Sequence, residues 1–224
     1  MKKLALSIMS VAILAALPAL ADYYIAGDFN ESWNPGHPDY MMQDMGGGVY
    51  AKTLTGESEG THYFKVTDGT WDNAWPSSNA KGYAPGGELT LYFYEGEHFD
   101  GWTPQFNRVG REDRGLAWEI KGAFNNWGEA VVMSYDAGIY SAVVTFPEAG
   151  YKEFKFRAPE GGDNWANEVG YEGGSNNIGI DIANPGDPIL MELDVLGGRY
   201  NLTLIPEPAS LILLALAGLV LRRR

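Results

Sequence analysis

The chain contains no cysteine and few basic residues for its length. Without cysteine it has neither disulfides nor thiolate ligands for a structural zinc ion, so packing alone must hold its folded parts together. Lysine and arginine number 16 against 29 acidic residues, which gives a net charge of −13 at pH 7. Because so acidic a surface repels nucleic acid and anionic lipid, we expect no nucleic-acid partner and a neutral ligand.

Sequence patterns for catalysis and for cofactor binding are also missing. The three histidines, His37, His62 and His98, do not have the spacing of metal ligands. The chain has no Gly-x-Ser-x-Gly motif, phosphate loop or zinc-protease helix, and no acidic pair stands out as an acid/base couple. We therefore predict no enzymatic activity, no catalytic residues, no cofactor and no metal site. A hydrolase is the alternative.

Long apolar runs occur only at the two ends of the chain. At the N-terminus, Lys2 and Lys3 precede an apolar run over residues 4–20, which closes with Ala19-Leu20-Ala21. A basic start, an apolar middle and small residues two apart are the pattern of a secretory signal peptide, predicted here over residues 1–21. A membrane anchor that is retained is the alternative.

The C-terminal run has a more specific pattern. Pro206, Glu207 and Pro208 precede an apolar stretch over 209–221, and the chain closes with Arg222, Arg223 and Arg224. A stretch of thirteen residues falls short of the roughly 20 that cross a bilayer as a helix, and the basic end should stay cytoplasmic. The order of these features over 206–224 resembles the PEP-CTERM sorting signal of Gram-negative bacteria.

The resemblance to a sorting signal implies a processing partner and a location. An exosortase would recognise the tail, and the apolar helix would contact the membrane before processing. The protein would then be exported across the inner membrane and would end at the cell surface or outside the cell. A plain single-span anchor is the alternative.

Between these ends the chain repeats itself. The segment IAGDFNESW at 25–33 returns as IKGAFNNW at 120–127. A constant shift of ninety residues then pairs Gly60 with Gly150, Phe64 with Phe154 and Lys65 with Lys155. Glycines, aromatics and a lysine kept in register over such a span indicate two copies of one small domain. We predict that the copies cover 22–103 and 117–205, joined by a polar linker over 104–116.

The repeated part alternates with the period of a β-strand. Phe64 and Val66 should point to one face and Lys65 to the other, and the runs 89–94 and 189–196 alternate in the same way. Glycine, asparagine, aspartate and proline interrupt the chain about every ten residues, as they do in a β-sandwich. The pattern therefore predicts an all-β fold with two sandwich domains in tandem.

Tryptophans are concentrated in the predicted loops. Five of them stand beside Gly, Asn, Asp or Pro, namely Trp33, Trp71, Trp75, Trp127 and Trp165. Sugars are recognised by stacking on exposed aromatic rings beside polar groups, and loops on a rigid sandwich can present such rings. The alternative is that these side chains belong to the core, where most tryptophans are buried.

The order of motifs in each copy resembles that of starch- and glycogen-binding modules. Each copy has Gly-x-Phe-Asn, a tryptophan, Gly-x-Tyr, Phe-Lys and a tryptophan hairpin, over 23–102 and 117–204. This order is similar to family 48 carbohydrate-binding modules and, for the first copy, to the accessory starch-binding modules of pullulanases. The resemblance implies an immunoglobulin-like sandwich with an α-glucan lying across one face.

The resemblance also implies the binding residues. The first copy offers Trp33, Lys65 and Trp71, and the second offers Trp127, Lys155, Trp165 and Asn177. The first copy has no Asn-Asn-Ile, although Asn79 lies nearby. A shift of ninety pairs Trp75 with Trp165, whereas the Trp-x-Asn motif pairs Trp71 with Trp165 and requires a hairpin four residues longer in the second copy.

These features predict an exported, non-catalytic α-glucan-binding protein with two tandem sites that gain affinity by binding one polymer together. The alternative is a structural or adhesive protein of the cell surface or biofilm matrix. In that case the sandwiches are spacers or protein-contact units.

Overall fold

The computed structural model describes residues 22–30 and 33–206, where nearly all regular structure is β-strand. The other elements in this part of the chain are three-residue 3-10 turns, and none of its helices is long and apolar enough to cross a membrane. The predicted all-β, sandwich-type fold is confirmed. The predicted signal peptide at 1–21 and the sorting segment from Glu207 to Arg224 lie outside the described residues, so both stay predictions.

The first copy forms seven strands in two layers. Their bounds are β1 (Tyr24–Gly27), β2 (Gln43–Gly46), β3 (Val49–Thr55), β4 (Gly60–Thr67), β5 (Ala74–Ala84), β6 (Glu88–Glu97) and β7 (Phe106–Arg111). One layer is a four-stranded antiparallel sheet in the order β2-β3-β6-β7. Strands β1, β4 and β5 form the other layer.

The second copy forms nine strands with the same division. Their bounds are β8 (Glu119–Gly122), β9 (Val131–Val132), β10 (Ser134–Asp136), β11 (Ile139–Thr145), β12 (Gly150–Glu160), β13 (Asp163–Val169), β14 (Ile178–Ile182), β15 (Pro188–Asp194) and β16 (Arg199–Leu204). One layer has the order β10-β11-β15-β16, and the other contains β8, β9, β12, β13 and β14.

The two copies share one sheet. Their second layers join into eight strands in the order β1-β4-β5-β13-β12-β8-β9, with β14 also paired to β12. The junction is between β5 and β13, where Lys81 faces Glu168. We call this junction the seam. The copies therefore lie side by side with their strands in one continuous surface, although each keeps its own core.

Each core is built from the alternation seen in the sequence. Phe64, Val66, Leu91 and Phe93 are fully buried in the first copy. Their counterparts in the second copy are equally buried, namely Phe154, Phe156, Met191 and Leu193. Burying such side chains contributes about 1.5–3 kcal/mol each, so each copy is held mainly by its own sandwich interior.

The predicted linker over 104–116 is wrong in its first half, because it contains β7. This strand pairs with β6 and closes the first sandwich. Its arginines gave it a polar composition, yet both are buried. Arg108 donates hydrogen bonds to the Pro104 carbonyl and to both carboxylate oxygens of Asp100, each at 2.7 Å, and Arg111 lies over the Phe64 ring.

The strand registers show how the copies correspond. Phe64 faces Gly27 and Ala80, as Phe154 faces Gly122 and Ile178. One step along, Val66 faces Trp75, whereas Phe156 faces Val169. The single strand β5 thus corresponds to β13 and β14 together. Between the matched pairs the first copy has a four-residue bulge, 76–79, and the second has a longer loop, 170–177.

Candidate functional site

An open groove of about 660 Å³ crosses the outer face of the shared sheet at the seam. The side chains that line it are Tyr63, Lys81, Trp127, Lys155, Asp163, Trp165, Glu168 and Asn177. All four residues predicted for the second copy are therefore brought together in one place. The first copy contributes Tyr63 and Lys81, which the sequence did not single out.

A row of opposite charges forms the floor of the groove. The Glu168 carboxylate accepts a hydrogen bond from the Lys81 ammonium at 2.7 Å and another from the Lys155 ammonium at 3.0 Å. Burial opposes the charge on Lys81, but the hydrogen bond and attraction of Glu168 outweigh it, so the pKa of Lys81 is raised. Beside them, Arg157 forms an ion pair with Glu119. Counting Asp163, which also lines the groove, three carboxylates balance these three cations.

Trp165 is held above this floor by the hairpin between β12 and β13. Its backbone N–H donates to the Asp163 carboxylate at 2.8 Å, and this bond is the main cause of the lowered pKa of Asp163. The Arg157 guanidinium lies 4.7 Å and the Lys155 ammonium 5.6 Å from the centre of the indole ring. The tryptophan is fixed from its backbone and its ring, so its orientation is set before any ligand arrives.

Trp127 reaches the groove from the loop after β8. Its backbone is left-handed, with φ of 59°, and its N–H donates to the Gly122 carbonyl at 2.9 Å. Trp33 has the same conformation, with φ of 58°. Left-handed backbone is uncommon for a bulky residue, so the two tryptophans share an unusual φ, although the Trp33 N–H donates to the Asn30 carbonyl at 3.3 Å instead.

Asn177 lies at the end of the loop 170–177, where its amide donates to Glu153 at 3.1 Å. The loop rests on the bulge of the first copy, since the Ser78 hydroxyl accepts from the Ser175 and Asn176 backbone N–H groups. Asn79 stands directly before Ala80, as Asn177 stands before Ile178, so Asn79 is its positional counterpart. Asn177 also lines an adjoining hollow with Tyr151 and Tyr171, both of which are exposed.

The residues predicted for the first copy are arranged differently. The Lys65 ammonium donates to the Pro76 carbonyl at 2.5 Å and to the Ser77 carbonyl at 2.8 Å, both in the bulge. Burial lowers the pKa of Lys65. Trp71 is 48% exposed in the hairpin between β4 and β5. The Trp33 loop packs on this hairpin, because the backbones at Gly36 and Gly69 approach too closely for any larger residue at 36 to fit without adjustment.

Trp75 was one of the tryptophans predicted to stack on a sugar, and this prediction is wrong. It is partly buried against the core, with its ring 5.2 Å from Phe93 and 6.1 Å from Tyr23. The register gives the physical reason, because Trp75 faces Val66 on β4 and so occupies the position of Val169. Trp75 and Val169 are 94 residues apart. Trp71 and Trp165 are separated by the same 94 residues, so the register agrees with the pairing that the Trp-x-Asn motif implied.

Sequence reasoning missed four lining residues: Tyr63, Lys81, Asp163 and Glu168. Tyr63 was recognisable as an outward position of β4, two residues before Lys65. Lys81 and Glu168 gave no signal, because a pairing between strands of different copies is not visible in sequence. Among the described residues, no three His, Asp or Glu side chains are grouped so that they could hold a metal ion.

Comparison with known proteins adds little to this geometry. No protein-family profile matches the chain, and no curated protein is similar to it. Among solved structures, the crystal structure of SusF from Bacteroides thetaiotaomicron matches at 17% identity and a TM-score of 0.32. The match covers 85% of this chain and 50% of that one, so the chain spans about half its length. A likeness this weak carries no function over.

Proposed function

We propose that this chain is a non-catalytic carbohydrate-binding protein that recognises an α-glucan, of the starch or glycogen type, in the groove at the seam. One observation carries the proposal. Trp127, Lys155, Trp165 and Asn177, which the resemblance to starch- and glycogen-binding modules implies as binding residues, line the same open groove. Rings that are fixed in advance, beside an amide and an ammonium, are the arrangement that stacks on a sugar and bonds its hydroxyls.

The charge of the groove supports a neutral ligand. Lys81 and Lys155 share Glu168, Arg157 is paired with Glu119, and Asp163 brings the number of carboxylates to three, equal to the number of cations. A floor whose charges are already paired offers hydrogen bonds to hydroxyl groups without requiring a counter-charge on the ligand. An anionic sugar would also be repelled by the chain as a whole, because the net charge of the chain is −13.

The shape of the surface supports a polymer. The groove is open, and Asn177 lines both the groove and the adjoining hollow of Tyr151 and Tyr171. On β12, Tyr151 and Lys155 are four residues apart and point to the same side of the sheet, since side chains alternate along a strand. A ligand of several sugar units would contact both parts.

The carboxylates of the groove support a role without catalysis. Glu168 accepts hydrogen bonds from two lysines, and Asp163 accepts from the Trp165 backbone N–H and the Thr61 hydroxyl. The lowered pKa of Asp163 keeps it ionised, so it has no proton to donate as a general acid. Glycoside hydrolysis usually needs a carboxyl pair with one member protonated.

Export completes the proposal. The N-terminal and C-terminal patterns support passage across the inner membrane, recognition of the tail by an exosortase, and a final place at the cell surface or outside the cell. Detection of the protein in the surface or extracellular fraction, with loss of residues 206–224 by mass spectrometry, tests this part.

The binding proposal is tested by native gels cast with glycogen, soluble starch, xylan or no polysaccharide. We expect glycogen and starch to retard residues 22–206 selectively, and Trp165→Ala to weaken retention by about tenfold, which corresponds to about 1.4 kcal/mol. Tyr135→Ala, which removes an exposed ring on β10 in another sheet, is the matched control and should migrate like the parent. Equal mobility in all four gels would reject sugar binding in favour of the structural alternative.

A further inference from the structure

The first copy contributes directly to the groove of the second. Tyr63 on β4 is 39% exposed and lines the groove together with Trp165. The Lys81 ammonium lies 5.2 Å from the centre of the Tyr63 ring, and Lys81 also pairs with Glu168 across the seam. A row of side chains therefore runs from an aromatic ring of the first copy to the charged floor of the second.

The first copy also fixes the start of β13, the strand that carries Trp165. The Thr61 hydroxyl on β4 donates to one Asp163 carboxylate oxygen at 2.9 Å. The other oxygen accepts the backbone N–H of Trp165 at 2.8 Å. Since residues two apart on a strand share a face, Thr61 and Tyr63 act from the same side of β4. The conformation that presents Trp165 therefore depends on a residue outside its own copy.

The motif residues of the first copy are used differently from those of the second. The Lys65 ammonium is bound by two backbone carbonyls of the bulge 76–79. The same bulge supports the loop that carries Asn177, through Ser78 and the Asn79 carbonyl. A ligand-binding site in the first copy would need the bulge 76–79 to present polar groups to the ligand. The bulge instead binds Lys65 on one side and supports the loop 170–177 of the second copy on the other.

We propose that the two copies form one composite site, so that each chain binds one glycan, with Tyr63 of the first copy as a direct ligand contact. Lys81 and Thr61 are positioning residues that hold Glu168 and Asp163. This inference rests on the proposed function, and it replaces the expectation of two tandem sites. The first copy supplies one wall of the site and does not bind a second glycan.

Isothermal titration of residues 22–206 with maltoheptaose tests the inference. We expect one ligand per chain and at least a fivefold loss of affinity in Tyr63→Ala. Tyr63→Phe keeps the ring and should retain the parent affinity, which separates stacking from a disturbed fold. Trp71→Ala removes the exposed tryptophan of the first copy and should leave both affinity and stoichiometry unchanged. Near-ultraviolet circular dichroism confirms that each variant is folded.

Each contrary result has a distinct meaning. Two ligands per chain, or a loss in Trp71→Ala equal to that in Trp165→Ala, would overturn the composite site and restore two separate ones. A normal affinity in Tyr63→Ala together with a loss in Trp165→Ala would reject the contact by the first copy while the proposed function stands. No binding by the parent chain would reject both.

Discussion

Lys65 and Lys155 occupy the same position in the two copies, yet they have different partners. Lys65 is bound by carbonyls of its own bulge, whereas Lys155 shares the Glu168 carboxylate with Lys81 and lies beside an indole ring. A lysine held by the backbone serves the fold, and a lysine in a charged floor beside a ring can serve a ligand. Retention of a residue in both copies therefore does not imply retention of its role.

The segments around these lysines explain the divergence. The hairpin between β12 and β13 is four residues longer than that between β4 and β5, and the loop 170–177 is longer than the bulge 76–79. The additional residues present Trp165 and Asn177 over the groove. We infer that the longer strands of this hairpin and the longer loop 170–177, more than the identity of the motif residues, distinguish the proposed binding copy from the supporting one.

The largest effect should come from removing the charge that links the copies. Glu168 is 4% exposed and pairs with two lysines, so Glu168→Gln leaves buried ammonium groups without a counter-charge. We expect it to lower the free energy of unfolding by about 3 kcal/mol, measured by urea denaturation.

The control for this prediction is Glu148→Gln, which removes a solvent-exposed partner of Lys152 and should not change the urea midpoint. If both variants unfold at the same urea concentration, the ion pair at the seam contributes nothing to stability, and the copies are less dependent on each other than the contacts imply.

A smaller effect should distinguish the two asparagines at matched positions. Asn177→Ala should weaken maltoheptaose binding about fivefold, the value of one net hydrogen bond, because Asn177 lines the groove. Asn79→Ala should leave the affinity unchanged. Titration calorimetry measures both, and similar losses in the two variants would show that the first copy has a working site of its own.

The smallest effect concerns a histidine found only in the first copy, since the shift of ninety residues places Lys152 at the position of His62. Burial acts against the charge on His62, but hydrogen bonds to the Ser58 carbonyl at 2.8 Å and to Asp28 at 2.9 Å prevail, so its pKa is raised. A raised pKa stabilises the folded chain below the pKa of the unfolded chain, and this contribution is lost as the pH rises through the folded value.

We therefore expect the melting temperature to fall slightly from pH 6 to pH 8, and to fall less in His62→Gln, which cannot titrate. Differential scanning calorimetry at the two pH values measures this. An equal fall in both proteins would mean that other groups cause the pH dependence.

The sequence predicted the elements within each copy better than the contacts between copies. Alternation located the cores around Phe64 and Phe154, and the resemblance to starch- and glycogen-binding modules implied four side chains that share one groove. The pairing of β5 with β13 was not predictable, because Lys81 and Glu168 are 87 residues apart and no local pattern links them. Trp75 and β7 were misjudged because an aromatic beside proline and a run with two arginines resemble loops until their burial is known.

The continuous sheet has a consequence for how such a protein can change in evolution. Modules in tandem arrays are ordinarily gained and lost one at a time, because each buries its own surface. Here, loss of the first copy would leave Glu168 on an open edge of β13 without its partner Lys81. Loss of the second copy would leave Lys81 on an open edge of β5 without its partner Glu168. We therefore expect the two copies to be kept or lost together, because a chain with only one of them exposes a charged strand edge.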